Sequence, residues 1–496
     1  MEFTTKLSQI AKTFRHQSRP TRNADLAVKH NPHRVGELLR SPCMGIAIAA
    51  IAIACTNTSE TKLSSVNESL SDSKVLKVWW DKGYTLEEDE ALQQLVSRWE
   101  QQTGNKVKLS FYNNDELSQK AQRAIQAGSP PDVLMNDNAD RVLNPRLAWE
   151  GKLADVSDAI APVKHLYPDT ILASVYFYNN LKQQRSYYAI PIHQGIPHIF
   201  YWRDLLKLAG RSEKDIPQDW DGFWEFWKQM QATLQTQHRQ KIYGIGFPLS
   251  VGAGDTYEVF EQILEAYDVQ ILDSQGQLRV DDPKVRQGII QCIDWYTKFY
   301  KQGYVPPEAT NWLNPDNNRS LLNRFIVMTP NNSLSIPAAV RQNPDLYRYK
   351  LGTIGYPNKP SGKPMRYLAL VRQAVVLADS KNQKLAKDFL AYLIQPEVTG
   401  NYLKAAGGRF LPVNTQVWKD PFWTDKSDPH ISTAAKPVIQ EQTRLFYTAK
   451  NPAYSLVVKE SIWSKALNKV VVDKIAPEQA ADEAIAQIKQ IFAQWQ

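Results

Sequence analysis

From Val75 onward the apolar positions switch repeatedly between a period of two and a period near 3.6, the spacings of strands and helices. Leu76, Val78 and Trp80 alternate, which predicts a strand over Val75–Trp80 closed by Asp81-Lys82-Gly83-Tyr84. Thr85 with Glu88 forms a Thr-x-x-Glu capping box, and Leu92, Leu95, Val96 and Trp99 follow as one buried helix face. After Thr103-Gly104-Asn105 a second strand alternates through Val107, Leu109 and Phe111. Asp115 caps a helix carrying Leu117, Ala121, Ala124 and Ile125, stopped at Gly128. Pro130–Met135 is a third strand, ending in Asn136-Asp137-Asn138. Strand, helix, strand, helix, strand predicts a doubly wound α/β body, whose ligands sit beyond the carboxyl ends of the strands. Trp80, Asp81 and Tyr84 lie at one such end and Asn136, Asp137 and Asn138 at another.

The stretch Tyr187–Gly210 organises the rest. It reads as a strand over Tyr187–Pro191, a polar turn at His193, Gln194 and Gly195, a second strand over Pro197–Trp202, and a helix from Asp204 to Gly210. Two apolar runs joined by polar residues can carry the chain from one body into another and serve as a hinge. Beyond it, Tyr243–Phe247 is a strand, and Gly252–Thr256 leads into a helix, so Asp255 fits a helix cap or a cleft-facing group. Asp281-Asp282-Pro283 caps a long helix to Tyr300, and Asn311–Asn314 forms a loop where the Trp312 ring could lie exposed. Phe325–Thr329 reads as the strand that returns to the first body, ending at Asn331-Asn332-Ser333. A strand over Gln373–Leu377, the turn Gly407–Val413 with Arg409, and helices to Gln496 complete the chain.

The N-terminal region breaks this pattern. Basic residues scattered from Lys6 to Arg40 precede the apolar run Cys43–Ala54, twelve residues long. A bilayer span needs about 20, so the run suits the core of a secretory signal. Residues 56–74 hold nine Ser or Thr among nineteen and read as a tether, about 25 Å long as a flexible coil. Without residues 1–54 the chain carries 51 basic against 48 acidic groups. The excess basicity therefore belongs largely to the signal, and no basic stripe marks a nucleic-acid partner. Of Cys43, Cys55 and Cys292 only the last falls in the body, so the core must hold without an internal disulfide. The 442 residues after Ala54 exceed the usual single domain.

No nucleophile elbow, zinc-protease motif, Cys-x-x-Cys pair, Walker loop or dinucleotide fingerprint occurs. His193 and His198 lie five apart and would need further ligands to hold a metal. A glycosidase would need two nearby carboxylates, and Asp81 with Asp137 is the pair that strand-end geometry could offer.

Several motifs, in order, resemble the extracellular sugar-binding proteins of ABC transporters. They are Glu100 to Val107, Pro131-Asp132-Val133, the crossover Tyr187–Gly210, Pro217–Trp224, and Gly407-Gly408-Arg409-Phe410-Leu411-Pro412-Val413; Asn323–Met328 departs from the usual pattern. The resemblance implies an α/β, two-lobed periplasmic-binding-protein fold, each lobe a doubly wound sheet flanked by helices. Lobe 1 is expected at 75–190 plus 328–372 and lobe 2 at 191–327 plus 373–496. It implies a monomeric receptor, not an enzyme, with no cofactor, closing on a carbohydrate and serving ABC permease and ATPase subunits. The implied ligand contacts are Trp80, Asp81, Tyr84, Asn136, Asp137, His193, Gln194, Asp255, Trp312, Asn332 and Arg409. Ala52-Ile53-Ala54-Cys55 is similar to a bacterial lipobox, which implies lipidation at Cys55, with 1–54 removed as a signal peptide and 55–74 a tether from the membrane on the periplasmic or extracellular face. Alternative solutes within the superfamily are a polyamine, a phosphate ester or ferric ion, the last because Tyr187-Tyr188 is similar to the paired tyrosines of ferric-binding members.

Overall fold

Leu76, Val78 and Trp80 turn inward from a strand whose other face is more open, and that alternation seats β1 (Val75–Asp81) at the centre of a sheet. The computed structural model describes residues 75–239 and 241–495; Cys55 and the expected signal and tether lie outside the described residues. Helix α1 (Leu86–Thr103) opens on the predicted capping box, with the Thr85 N–H donating to Glu88 Oε1 at 3.3 Å, and ends at Gly104 in the left-handed region, φ 71°. β2 (Lys106–Tyr112), α2 (Asn114–Gln126) and β3 (Val133–Met135) follow. Both β2 and β3 pair with β1 in parallel. A hairpin, β4 (Tyr176–Asn179) and β5 (Gln184–Tyr187), precedes the crossing.

At the crossing, β6 (Ile190–Gly195) and β7 (His198–Trp202) are buried throughout. The predicted turn at His193-Gln194-Gly195 is instead part of β6, because Gln194 and Leu411 exchange two backbone hydrogen bonds of 2.9 Å and Gly195 pairs with Leu370. Only Ile196 and Pro197 separate the two strands. Past the crossing come α3 (Trp220–His238), β8 (Tyr243–Ile245), α4 (Gly254–Ala266) and α5 (Pro283–Lys301). Asp219 caps α3 through the Gly222 N–H at 2.8 Å. The rings of this second body interlock edge to face, Trp224 lying 5.1 Å from Trp295, a geometry that adds to simple area burial.

The strand after α5 corrects the expected division of the chain. β9 (Ile326–Asn331) does not return to the first sheet; it pairs with β7 antiparallel and β8 in parallel. β10 (Leu351–Ile354) then joins β7 on its other side, giving a second sheet of order β10-β7-β9-β8. The return is made by β11 (Tyr367–Val376), which pairs with β3 and β6 along its length. The expected breaks at 327/328 and 372/373 therefore fall inside strands, because six consecutive buried residues in β9 fit either sheet by periodicity alone. α6 (Gln383–Leu393) packs on β11 and α7 (Pro396–Ala405) on α1, so part of the segment expected in lobe 2 covers the first sheet. α8 (Ile431–Ile439) packs on β10, and β12 (Thr443–Leu445) pairs with β11 to complete a first sheet of order β12-β11-β3-β1-β2. α9 (Ile462–Val471) and α10 (Pro477–Ala493) close over α5. The chain thus passes between the two bodies at Ile196-Pro197, between β10 and β11, and again from α7 to α8, from α8 to β12 and from β12 to α9. Cys292 on α5 is a buried free thiol.

Gly195 marks the tightest point of the first crossing: a Cβ there would overlap the Asn332 carbonyl oxygen. Gly195→Ala is expected to cost about 1 to 3 kcal/mol by overpacking. At Gly252 the nearest atoms to an added Cβ are 3.6 Å away, so Gly252→Ala should stay within about 0.5 kcal/mol of wild type. Denaturant melts of the two variants check the contrast.

Candidate functional site

The carboxyl ends of β1 and β3 meet where the sequence placed them. Asp81 ends β1 buried, and its oxygens accept from Asn114 Nδ2 at 2.8 Å, from Asn136 Nδ2 at 2.7 Å and from the Asp137 N–H. Asn136 is fully buried and also donates to the Asn114 carbonyl at 2.9 Å. Both residues therefore shape the loop rather than present free groups. Asp137 differs: among the described residues no side chain donates to its carboxylate within hydrogen-bonding distance, and Arg372 Nε stands 3.8 Å away. Burial alone would raise the Asp137 pKa, but Arg372 and Arg409 outweigh it and hold the group below the usual carboxylate range. Burial pushes Asp81 up to about 8, reinforced by the Asp137 charge and opposed by its hydrogen bonds.

Three arginines ring these carboxylates, Arg141 and Arg372 buried and Arg409 partly exposed. Arg372 and Gln373 are the polar residues of β11, and the register shifts between them, a bulge of the kind that re-aims a side chain. Arg372 donates to Asp140 at 3.2 Å and to the Asp137 carbonyl. Arg141, on the short helix Ala139–Val142, donates to Asn138 Oδ1 at 2.8 Å and pairs with Glu258 of α4. Arg409, on the turn after α7, donates to Glu88 Oε2 at 2.7 Å and lies over the rings of Tyr84 and Phe410. Nε of each of the three arginines is buried without a partner. His193 stacks on Phe410 at 3.9 Å between centroids, and its Nδ1 is also unpartnered. Burial lowers the His193 pKa to about 3, so the ring is neutral near neutral pH.

The second sheet contributes across the gap. Asn332, just past β9, donates to Glu258, which also takes Arg141 from the first sheet's side. That three-residue contact ties the two bodies together. Asn331 supports it from behind, donating to Asn318 at 2.8 Å. Next to Arg141 a gap of about 210 Å³ is lined by Asp115 and Asn138 on one side and by Val251–Gly254 and Tyr257 on the other.

Of the residues named from sequence, Asp81, Tyr84, Asn136, Asp137, His193, Asn332 and Arg409 come together here. Trp80 lines the same recess but is buried in the core of the first body. Gln194 points elsewhere: its Nε2 donates to the Pro412 carbonyl at 2.7 Å and fixes the Arg409 turn to β6. Asp255 is not the cap of α4, which starts after Ala253; its N–H donates to Asn314 Oδ1 at 3.2 Å, and burial raises its carboxyl to about 6 against Arg141 and Asn317. Trp312 is buried, only 6% exposed, while Leu313 beside it is 58% exposed, the reverse of the expected loop ring. Sequence reasoning missed Arg141, Arg372 and Glu258. A lone arginine inside Tyr367–Val376 and a glutamate within a long apolar helix were the available signals, since buried charge needs a partner. Among the described residues no group of three or more His, Cys, Asp or Glu could hold a metal ion.

Two α/β bodies joined by repeated crossings of the chain, with polar groups from both meeting at strand ends, define a bilobal solute-binding protein. The profile of the bacterial extracellular solute-binding proteins matches residues 94–433, and the chain belongs to that family. A multiple sugar-binding protein of Streptococcus mutans is 22% identical over 287 residues, covering 56% of this chain and 60% of the relative's length. A solute-binding protein from Thermotoga lettingae, bound to alpha-D-tagatose, superposes with a TM-score of 0.71 at 19% identity, covering 84% of this chain and all of that one. Maltose-bound MalE3 of T. maritima gives 0.67 at 19% identity over the same shares. These similarities establish the periplasmic-binding-protein fold.

The Asp81 carboxyl holds its proton more tightly folded than unfolded. Its stabilising contribution is therefore full below about pH 4, the unfolded value, and is lost as pH rises through about 8. Asp81→Asn removes this dependence, so the unfolding free energy of wild type minus that of the variant should shrink from pH 5 to pH 8. Denaturant melts at both pH values check it; a constant difference would show that Asp81 is ionised in the fold.

Proposed function

We propose that this protein is the receptor of an ABC importer for a carbohydrate, captured between the two sheets and handed to a membrane permease. The observation that carries the reading is the set of unpartnered donors, Nε of Arg141, Arg372 and Arg409, gathered around the open Asp137 carboxylate. Such a site asks for a ligand with many hydroxyls, each able to accept from a guanidinium and donate to a carboxylate. Tyr84, partly exposed beside them, offers a ring suited to the C–H face of a sugar. The relatives bound to tagatose and maltose support the same class.

The gap of about 210 Å³ is smaller than the roughly 300–1,000 Å³ of typical ligand pockets. A saccharide larger than one ring therefore enters only as the bodies part and the Arg141–Glu258–Asn332 contact yields. Closure is favoured to the extent that the ligand binds the closed arrangement better than the open one. The lobes of this mechanism are 75–195 with the β11 to α7 region, and 198–354 with α9 and α10. Cys55 is the lipid anchor in this reading, and residues 56–74 the tether.

A thermal-shift screen of mono-, di- and oligosaccharides, with a polyamine, glycerophosphate and ferric ion as competing classes, tests it. A true ligand at 100 times its Kd adds about 2.7 kcal/mol of stability. Asp137→Asn should weaken that saccharide about tenfold to a hundredfold by isothermal titration, as loss of a hydrogen bond to a charged group implies. A shift from ferric ion or a polyamine alone would overturn the carbohydrate assignment.

A further inference from the structure

A recess of about 730 Å³, more than three times the volume of the cleft gap, lies away from the site above and shares no lining residue with it. Three of the crossings border it: His198 follows the first, Tyr356 and Met365 belong to the second, and Gln442 to the one between α8 and β12. One wall is aromatic, with the His198 ring stacked on Tyr367 at 5.8 Å. No carboxylate lines the recess, whereas Lys426 and Lys436 do, both exposed and neither in an ion pair among the described residues.

His198 supplies a directional feature. It is 1% exposed, and its Nδ1 sits 3.0 Å from the Ile196 carbonyl. A carbonyl can only accept, so Nδ1 carries the proton, and in the neutral ring Nε2 is a bare acceptor. Burial, which pushes this imidazole down to about 4 against the backbone groups of Ile196 and Thr433, keeps it neutral. Nε2 makes no hydrogen bond among the described residues. A buried acceptor left unmade is costly, and here it belongs to the wall of a recess wide enough for a ligand. The Tyr356 hydroxyl, in the same wall, is likewise buried and unpartnered.

We propose that this recess is a second binding site, distinct from the solute cleft, for a small aromatic anion that carries an N–H or O–H donor. The flat ring lies along Tyr367 and Met365, the donor meets His198 Nε2, and the anionic group is held by Lys426 and Lys436. Because its walls include three of the segments that bend when the bodies move, an occupant that prefers one arrangement biases cleft closure.

The probe is 8-anilinonaphthalene-1-sulfonate, which combines aromatic rings, one N–H and a sulfonate. Titrated into the purified protein, it should show one saturable equivalent of enhanced fluorescence. Lys426→Glu with Lys436→Glu should weaken it at least tenfold, and Ala435→Trp, which fills the recess from α8, should abolish it; Asp137→Asn should leave it unchanged. Ala435 is buried, so the exposed lysine pair decides the matter if the tryptophan variant unfolds. The proposal is overturned by the absence of a saturable equivalent, by unchanged affinity in the lysine variant, or by an equal loss in Asp137→Asn, which would place the dye in the cleft.

Discussion

Burying a carboxylate inside a protein is tolerable only when cations and hydrogen-bond donors surround it, and α4 buries three. Glu258, Glu261 and Glu265 recur along one helix of otherwise apolar residues. Each recruits partners from a different region. Glu265 takes Lys359 at 2.8 Å and Arg366 at 2.9 Å from the second crossing, and Arg444 at 2.5 Å from β12. Glu261 takes the hydroxyls of Tyr257 and Tyr454, both at 2.8 Å. Glu258 reaches Arg141 and Asn332. With so many opposite charges against it, Glu265 is held down to about 2 although burial alone would raise it. One helix thereby fixes two of the crossings and one side of the cleft, and Gln262 adds to this by bonding the backbone of Arg366 and Leu368.

The first crossing is fixed differently, by backbone geometry. Gly195 lies against the Asn332 carbonyl, and the paired bonds between Gln194 and Leu411 attach the Arg409 turn to β6. The turn that carries a site arginine and its stacking partner Phe410 therefore rides on the crossing strand itself. Arg409 is also tied to the second body directly, its carbonyl accepting from the Leu334 N–H just past β9 at 3.0 Å, so its placement is linked to both bodies.

The first body was legible because its strands alternate and its helices carry caps and one apolar face, so β1, α1, β2 and α2 fell where the periodicity put them. Strand ends then located Asp81 and Asp137 without knowledge of the ligand. The rest was hidden for specific reasons. β9 is buried on both faces and carries no mark of which sheet it joins; only its register with β7 does. Gln194 and Asp137 look alike in sequence as polar residues at strand ends, yet one side chain is consumed by Pro412 and the other is left open. Arg372 and Glu258 act through partners 74 or more residues away, which no local pattern reveals.

The Arg372 side chain has two duties, one in the buried ion pair with Asp140 and one beside Asp137 in the cleft. A substitution there disturbs the fold together with the preference for solute. Val251 and Gly252, exposed on the rim of the cleft gap, have no such double duty. Substitution along that rim can reshape the walls of the gap without disturbing the charges that hold the two bodies together.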